Sequence, residues 1–64
     1  MENRIYSLAQ IRALANLSAR DAADLLKIHY NTYLRLEKNP GNLTMDQAII
    51  LAEAAGIGIE QIKI

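Results

Sequence analysis

The chain has 64 residues, 52% of them apolar, with no cysteine and a formal net charge of zero. A chain this short is expected to make one small domain over residues 1–64, and its marginal core needs very efficient helix packing or self-association, because disulfides and cysteine-based metal sites are excluded. Zero net charge gives a nucleic-acid partner no bulk support. The charge is uneven, however: residues 1–38 carry six basic against four acidic side chains, while residues 39–64 carry Lys63 against Asp46, Glu53 and Glu60. Such asymmetry hints at one face that prefers anions.

From the N-terminus, Ile5, Leu8, Ile11, Arg12 and Ala15 fall at helical spacing within residues 5–17, with Leu14 nearby, and Asn16 breaks the run. Ser18 followed by Asp21 is a helix start, opening a second helix from Ala19 to about Leu26 with Ala22, Ala23 and Leu26 inward. Lys27-Ile28-His29 interrupts. A third helix runs from Tyr30 to about Lys38 and must stop before Pro40, which disfavours helical geometry in the residue ahead of it. Asn39-Pro40-Gly41-Asn42 is the clearest loop. Thr44 and Gln47 form a capping box for a fourth helix, Met45 to Ala55, with Ala48, Leu51, Ala52 and Ala55 inward and Gly56 suited to the left-handed end. Ile57 through Ile64 reads as a last short helix with Ile59 and Ile62 inward. The expectation is all-α, with five short helices.

No apolar run approaches membrane-spanning length, and the opening MENRIYSL has no signal-peptide core, so a cytoplasmic chain is expected. Catalysis finds little to work with. One histidine and no cysteine leave few nucleophile–base pairs, and Asp21 and Asp24 read as a solvated face. His29 with those acids would make a poor metal set. The glycines at 41, 56 and 58 form no phosphate loop. No enzyme activity, cofactor, metal or small-molecule ligand is expected.

The short helix, tight turn and short helix over residues 18–38 have the rhythm of a helix-turn-helix. The segment LSARDAADLLKIHYNTYLRLEK resembles the core of the lambda-repressor/Cro-like family, also called the xenobiotic-response-element type. Leu17 and Ser18 stand where that family has Leu-Thr, Ala23 at the buried alanine of the second helix or its neighbour, Leu26 and Ile28 around the turn. Thr32 takes a small polar position, and Leu36-Glu37 the closing Ile-Glu. Further on, LTMDQAIILAEAAGIGIEQI is similar to the family's closing segment through Leu51, Ala52, Ala54, Gly56, Ile57 and Ile62. The resemblance implies a compact five-helix lambda-repressor-like domain.

It also implies roles. Arg12 and Glu37 occupy the positions of an ion pair between the first and third helices, which would hold the fold together. Tyr30, Asn31 and Arg35 would face base edges in the major groove of double-stranded DNA. The residue types suit this, since Asn bonds adenine and Arg bonds guanine bidentately. Ser18, Ala19, Arg20, Lys27, His29, Thr32, Lys38 and Asn39 would lie near the DNA backbone, with the N–H groups of Ser18 and Ala19 meeting phosphate. Tyr33 and Leu36 would be core, the Tyr33 hydroxyl reaching the surface or finding a partner.

The chain departs from the family pattern at several places. Ala19 stands for a phosphate-binding Gln, and Lys27 for the glycine of the turn. His29 stands for the Ser or Thr that caps the third helix, and Leu34 for a polar, exposed residue. Asn39 stands for a glycine and would take a left-handed conformation. Ile57, Ile59, Ile62 and Ile64 make an apolar tail suited to a homodimer interface. Met45, Ile49 and Ile50 exceed what the inner face of the fourth helix needs. The resulting expectation is a Cro- or repressor-like regulator of phage or mobile-element type. The alternative is a protein–protein interaction module, or an antagonist of another regulator, on the same fold.

Overall fold

The computed structural model describes residues 4–63. Among them are four α-helices: α1 (Leu8–Leu14), α2 (Ala19–Leu26), α3 (Tyr30–Lys38) and α4 (Met45–Ala55). Single 3-10 turns follow at Pro40–Asn42 and Ile59–Gln61. No helix among the described residues is long and apolar enough to cross a membrane.

Three of the helices begin by one local device. Ser7, Ser18 and Thr44 each accept a hydrogen bond from the N–H three residues on. The side-chain oxygens of Gln10, Asp21 and Gln47 each accept in turn from the capping residue's N–H, at 2.9, 3.3 and 3.0 Å. Each such box satisfies two backbone donors that the helix leaves open. The same three helices also end alike. Asn16, Lys27 and Gly56 take left-handed φ values of 60°, 59° and 72°. The next N–H in each case, from Leu17, Ile28 or Ile57, donates back to Arg12, Ala23 or Ala52 at 3.0 Å. This is the Schellman closure, and it turns the chain sharply enough to pack neighbouring helices.

α2 packs on α3 and α4, and α1 on α3 and α4. Small residues make this possible in so short a chain: Ala22 and Ala23 of α2 and Ala48 and Ala52 of α4 are buried and let backbones approach. Leu8 and Ile11 of α1, Leu26, Tyr33, Leu36 and Leu51 fill the space between, with Ile62 closing the bottom.

Four expectations are corrected. α1 starts at Leu8, not near Ile5, because the Ser7–Gln10 box fixes its entry; Ile5 and Leu14 are then exposed, at 61% and 50%. The Asn39–Asn42 loop contains a 3-10 turn, and Asn39 is not left-handed (φ −129°), since Pro40 restricts the residue before it. The fifth helix is only the turn Ile59–Gln61. Its place is taken by an isolated parallel bridge between Tyr6 and Ile62, with Tyr6 N–H donating to Gln61 O at 2.7 Å and Lys63 N–H to Tyr6 O at 2.8 Å. Ile59 consequently faces out, at 38% exposure, while Ile62 is buried.

Candidate nucleic-acid interface

α3 is placed by its inner face and by one ion pair. Tyr33 and Leu36 are buried among the other helices. Arg12 on α1 reaches across to Glu37, Nε to Oε2 2.8 Å, with a longer contact from its guanidinium to the Leu17 carbonyl at 3.5 Å. The side chains are 27% and 17% exposed, so the pair is partly shielded from water. The hydrogen bond that Arg12 donates to Glu37 holds the guanidinium charged, more than offsetting its desolvation. Tyr33 lies beside this pair. Its hydroxyl neither reaches the surface nor makes a hydrogen bond, contrary to expectation, because the ring that fills the core carries it under the Arg12–Glu37 bridge. Burial pushes its pKa up, and the neighbouring Glu37 carboxylate adds to the rise.

The opposite side of α3 presents Asn31, Arg35 and Lys38, all exposed and spaced as one helical stripe. Thr32 is exposed beside them. Tyr30 stands apart. It is half-buried on the flank it shares with Leu34 and Glu37, and the Arg20 guanidinium lies 4.4 Å from its ring centre. The base-reading candidates therefore divide into an Asn31–Arg35 stripe and a Tyr30 flank. Leu34, expected to be exposed, is half-buried on that flank.

The residues expected near a DNA backbone are mostly at the surface: Arg20, Lys27, His29, Lys38 and Asn39 are exposed and Ala19 half-buried. Ser18 is a correction. Its N–H already donates to the Asp21 carboxylate, so it is not free for phosphate, and that carboxylate brings negative charge to the same helix end. The N–H groups of Ala19 and Arg20 are not used by the cap. α3 begins differently: His29 makes no capping hydrogen bond, leaving the first-turn donors of α3 without a side-chain acceptor.

A shallow apolar groove of about 240 Å³, lined by Leu43, Thr44, Met45, Ala48, Ile59 and Ile62, opens beside α4. Met45, Ile49, Ile50 and Ile59 are exposed, whereas Ile57 is half-buried against the core and Ile62 belongs to it. Ile62 is thereby withdrawn from the apolar surface expected of the tail, and Ile64 lies outside the described residues. Among the described residues no cluster of His, Cys, Asp and Glu could hold a metal ion.

The Ser7–Gln10 box is absent from the sequence expectations, although its hydroxyl-x-x-acceptor spacing is the one that marks Ser18–Asp21 and Thr44–Gln47. Absent too is the Arg20–Tyr30 contact, for which no local spacing gives a signal. A family model described as helix-turn-helix matches residues 8–62. Among curated proteins and among solved structures, none matches the chain.

Proposed function

The chain belongs to the lambda-repressor/Cro-like helix-turn-helix family, and on that premise we propose that it is a sequence-specific transcriptional regulator that places α3 in the major groove of DNA. The family is one of DNA-binding regulatory domains rather than of enzymes. The observation that carries the reading is the exposed Asn31–Arg35–Lys38 stripe on the second helix of the motif. Two of its members are side chains that read adenine and guanine, and the third is a cation for phosphate. Tyr30 reads from the flank, and Arg20, Lys27, His29, Thr32 and Asn39 border the DNA backbone with the Ala19 N–H.

Few cations mean few phosphate contacts, so a single copy binds modestly and a pair binds well. The exposed apolar surface of Met45, Ile49 and Ile59 supplies a face for a second copy. A homodimer would set two α3 helices about one DNA turn apart on a two-fold site. Such a small Cro-like regulator suits a phage or mobile element, and its place is the cytoplasm, where the DNA is.

Binding to random-sequence duplex DNA, measured at about 50 mM and about 200 mM salt, tests this. A DNA reader binds at the lower salt and weakens steeply at the higher, through counterion release. No binding at low salt and micromolar protein would overturn the proposal in favour of a protein-interaction module.

A further inference from the structure

Arg20 lies in the first turn of α2, and Tyr30 opens α3. Their contact, 4.4 Å from guanidinium to ring centre, therefore joins the leading ends of the two helices of the motif. Arg20 has an alternative on its own helix: Asp24 is four residues on, a spacing at which Arg and Asp pair. Among the described residues Arg20 forms no ion pair and sits over the ring instead. The negative face of a tyrosine attracts a cation, and a guanidinium held there keeps its N–H donors in its own plane, uncommitted to any carboxylate. The contact also covers one face of the half-buried Tyr30 ring.

We propose that Arg20 and Tyr30 form one recognition unit: Arg20 is a positioning residue that holds the Tyr30 ring on the flank of α3 and so sets discrimination at the base step Tyr30 meets. This rests on the DNA-binding reading and deepens it. Tyr30 lies off the Asn31–Arg35–Lys38 stripe, and an unrestrained ring there would have to be immobilised on binding. Prior ordering by Arg20 removes that cost for the matched sequence, where the ring finds its contact. A plain phosphate ligand would act equally on every sequence.

The test uses a duplex selected by the full chain from a random pool, and its single-base-pair variants. Affinities are measured for the parent, Arg20→Lys, Arg20→Gln, Tyr30→Leu and the double variant Arg20→Gln/Tyr30→Leu. Arg20→Lys keeps the charge but not the planar cation, so it is expected to lose discrimination at one base step with little change in salt slope. Arg20→Gln and Tyr30→Leu are expected to be non-additive by a factor of about two to five in Kd on the selected site. In the free protein, the ring-current shift on the Arg20 side-chain protons should vanish in Tyr30→Leu.

Additive variants, or an Arg20→Gln loss that is the same on every sequence and persists in the Tyr30→Leu background, would overturn this proposal while leaving DNA binding in place. A parent that binds no DNA while keeping the ring-current shift overturns the DNA reading and this one together. Absence of the shift in the parent, with DNA binding intact, overturns only the positioning role.

Discussion

α3 and the other three helices solve the same problem by different means. α1, α2 and α4 are closed at both ends by their own neighbours in sequence, with a capping box in front and a left-handed residue behind. α3 has neither: His29 caps nothing, and Asn39 ahead of Pro40 has φ −129° and is not left-handed. It is held by tertiary contacts, with Tyr33 and Leu36 in the core and Glu37 on Arg12. Caps make a helix self-sufficient. A helix held from behind keeps its outer face and its leading end open, as the proposed DNA contact requires.

The contrast is broken most severely at the ion pair. Glu37→Gln leaves a partly buried Arg12 without its charge partner and removes the link from α1 to α3. The loss should be about 2 kcal/mol, between the values for exposed and fully buried pairs, and should lower the melting temperature by about 10 °C. A melting curve that superimposes on the parent's would mean α3 is held by packing alone.

Lys27→Gly sharpens the other side. A left-handed lysine strains the end of α2, and glycine adopts φ 59° freely, so chemical denaturation should show a gain of about 1 kcal/mol. A loss would show that the Lys27 side chain contributes more than its backbone costs. His29→Ser gives α3 the cap it lacks, and should add about 0.5–1 kcal/mol by the same measurement. No gain would mean that the first-turn donors of α3 already have partners in solution.

The smallest effect at neutral pH belongs to Tyr33→Phe. It removes a buried hydroxyl that makes no hydrogen bond, so it should be neutral or stabilising by up to about 1 kcal/mol. Its signature is at high pH. The folded pKa of Tyr33 is raised above the unfolded value of 10.0, so the folded state keeps a proton that the unfolded state gives up. Stability is therefore intact below about pH 10 and falls as the pH climbs above it. A pH titration of stability should show this alkaline decline weakened in Tyr33→Phe; equal declines would assign it to other groups.

Local rules were legible in the sequence; of the distant contacts, only the Arg12–Glu37 pair was, and through the family resemblance rather than through spacing. α2, α3 and α4 run between the residues their caps, turn and proline announce. Ile5 continues the apolar spacing of α1, yet the helix opens only at Leu8, because a cap outranks a spacing when the two conflict. The isoleucines at the C-terminal end suggested a helix. Ile62 instead pairs its backbone with Tyr6, a partner at the far end of the sequence that no window can contain. The site follows the same division. Asn31 and Arg35 could be placed outward by their distance from Tyr33 and Leu36, whereas Arg20 over Tyr30, the buried Tyr33 hydroxyl and the half-buried Leu34 depend on how α1 and α2 lie against α3.

The bridge between Tyr6 and Ile62 acts as a clasp. Its two hydrogen bonds, Tyr6 N–H to Gln61 and Lys63 N–H to Tyr6, close a loop that contains every helix. Closing so long a loop costs more chain entropy than forming any single helical turn, and what offsets it is local: the two bridge bonds, Gln61 Nε2–H donating to Arg4 O at 3.2 Å, and the burial of Ile62. The clasp should thus shut last in folding and open first. Amide exchange at Tyr6 and Lys63 should proceed in step, faster than in the middle of α4, and would time the moment at which the core loses its lid over Ile62.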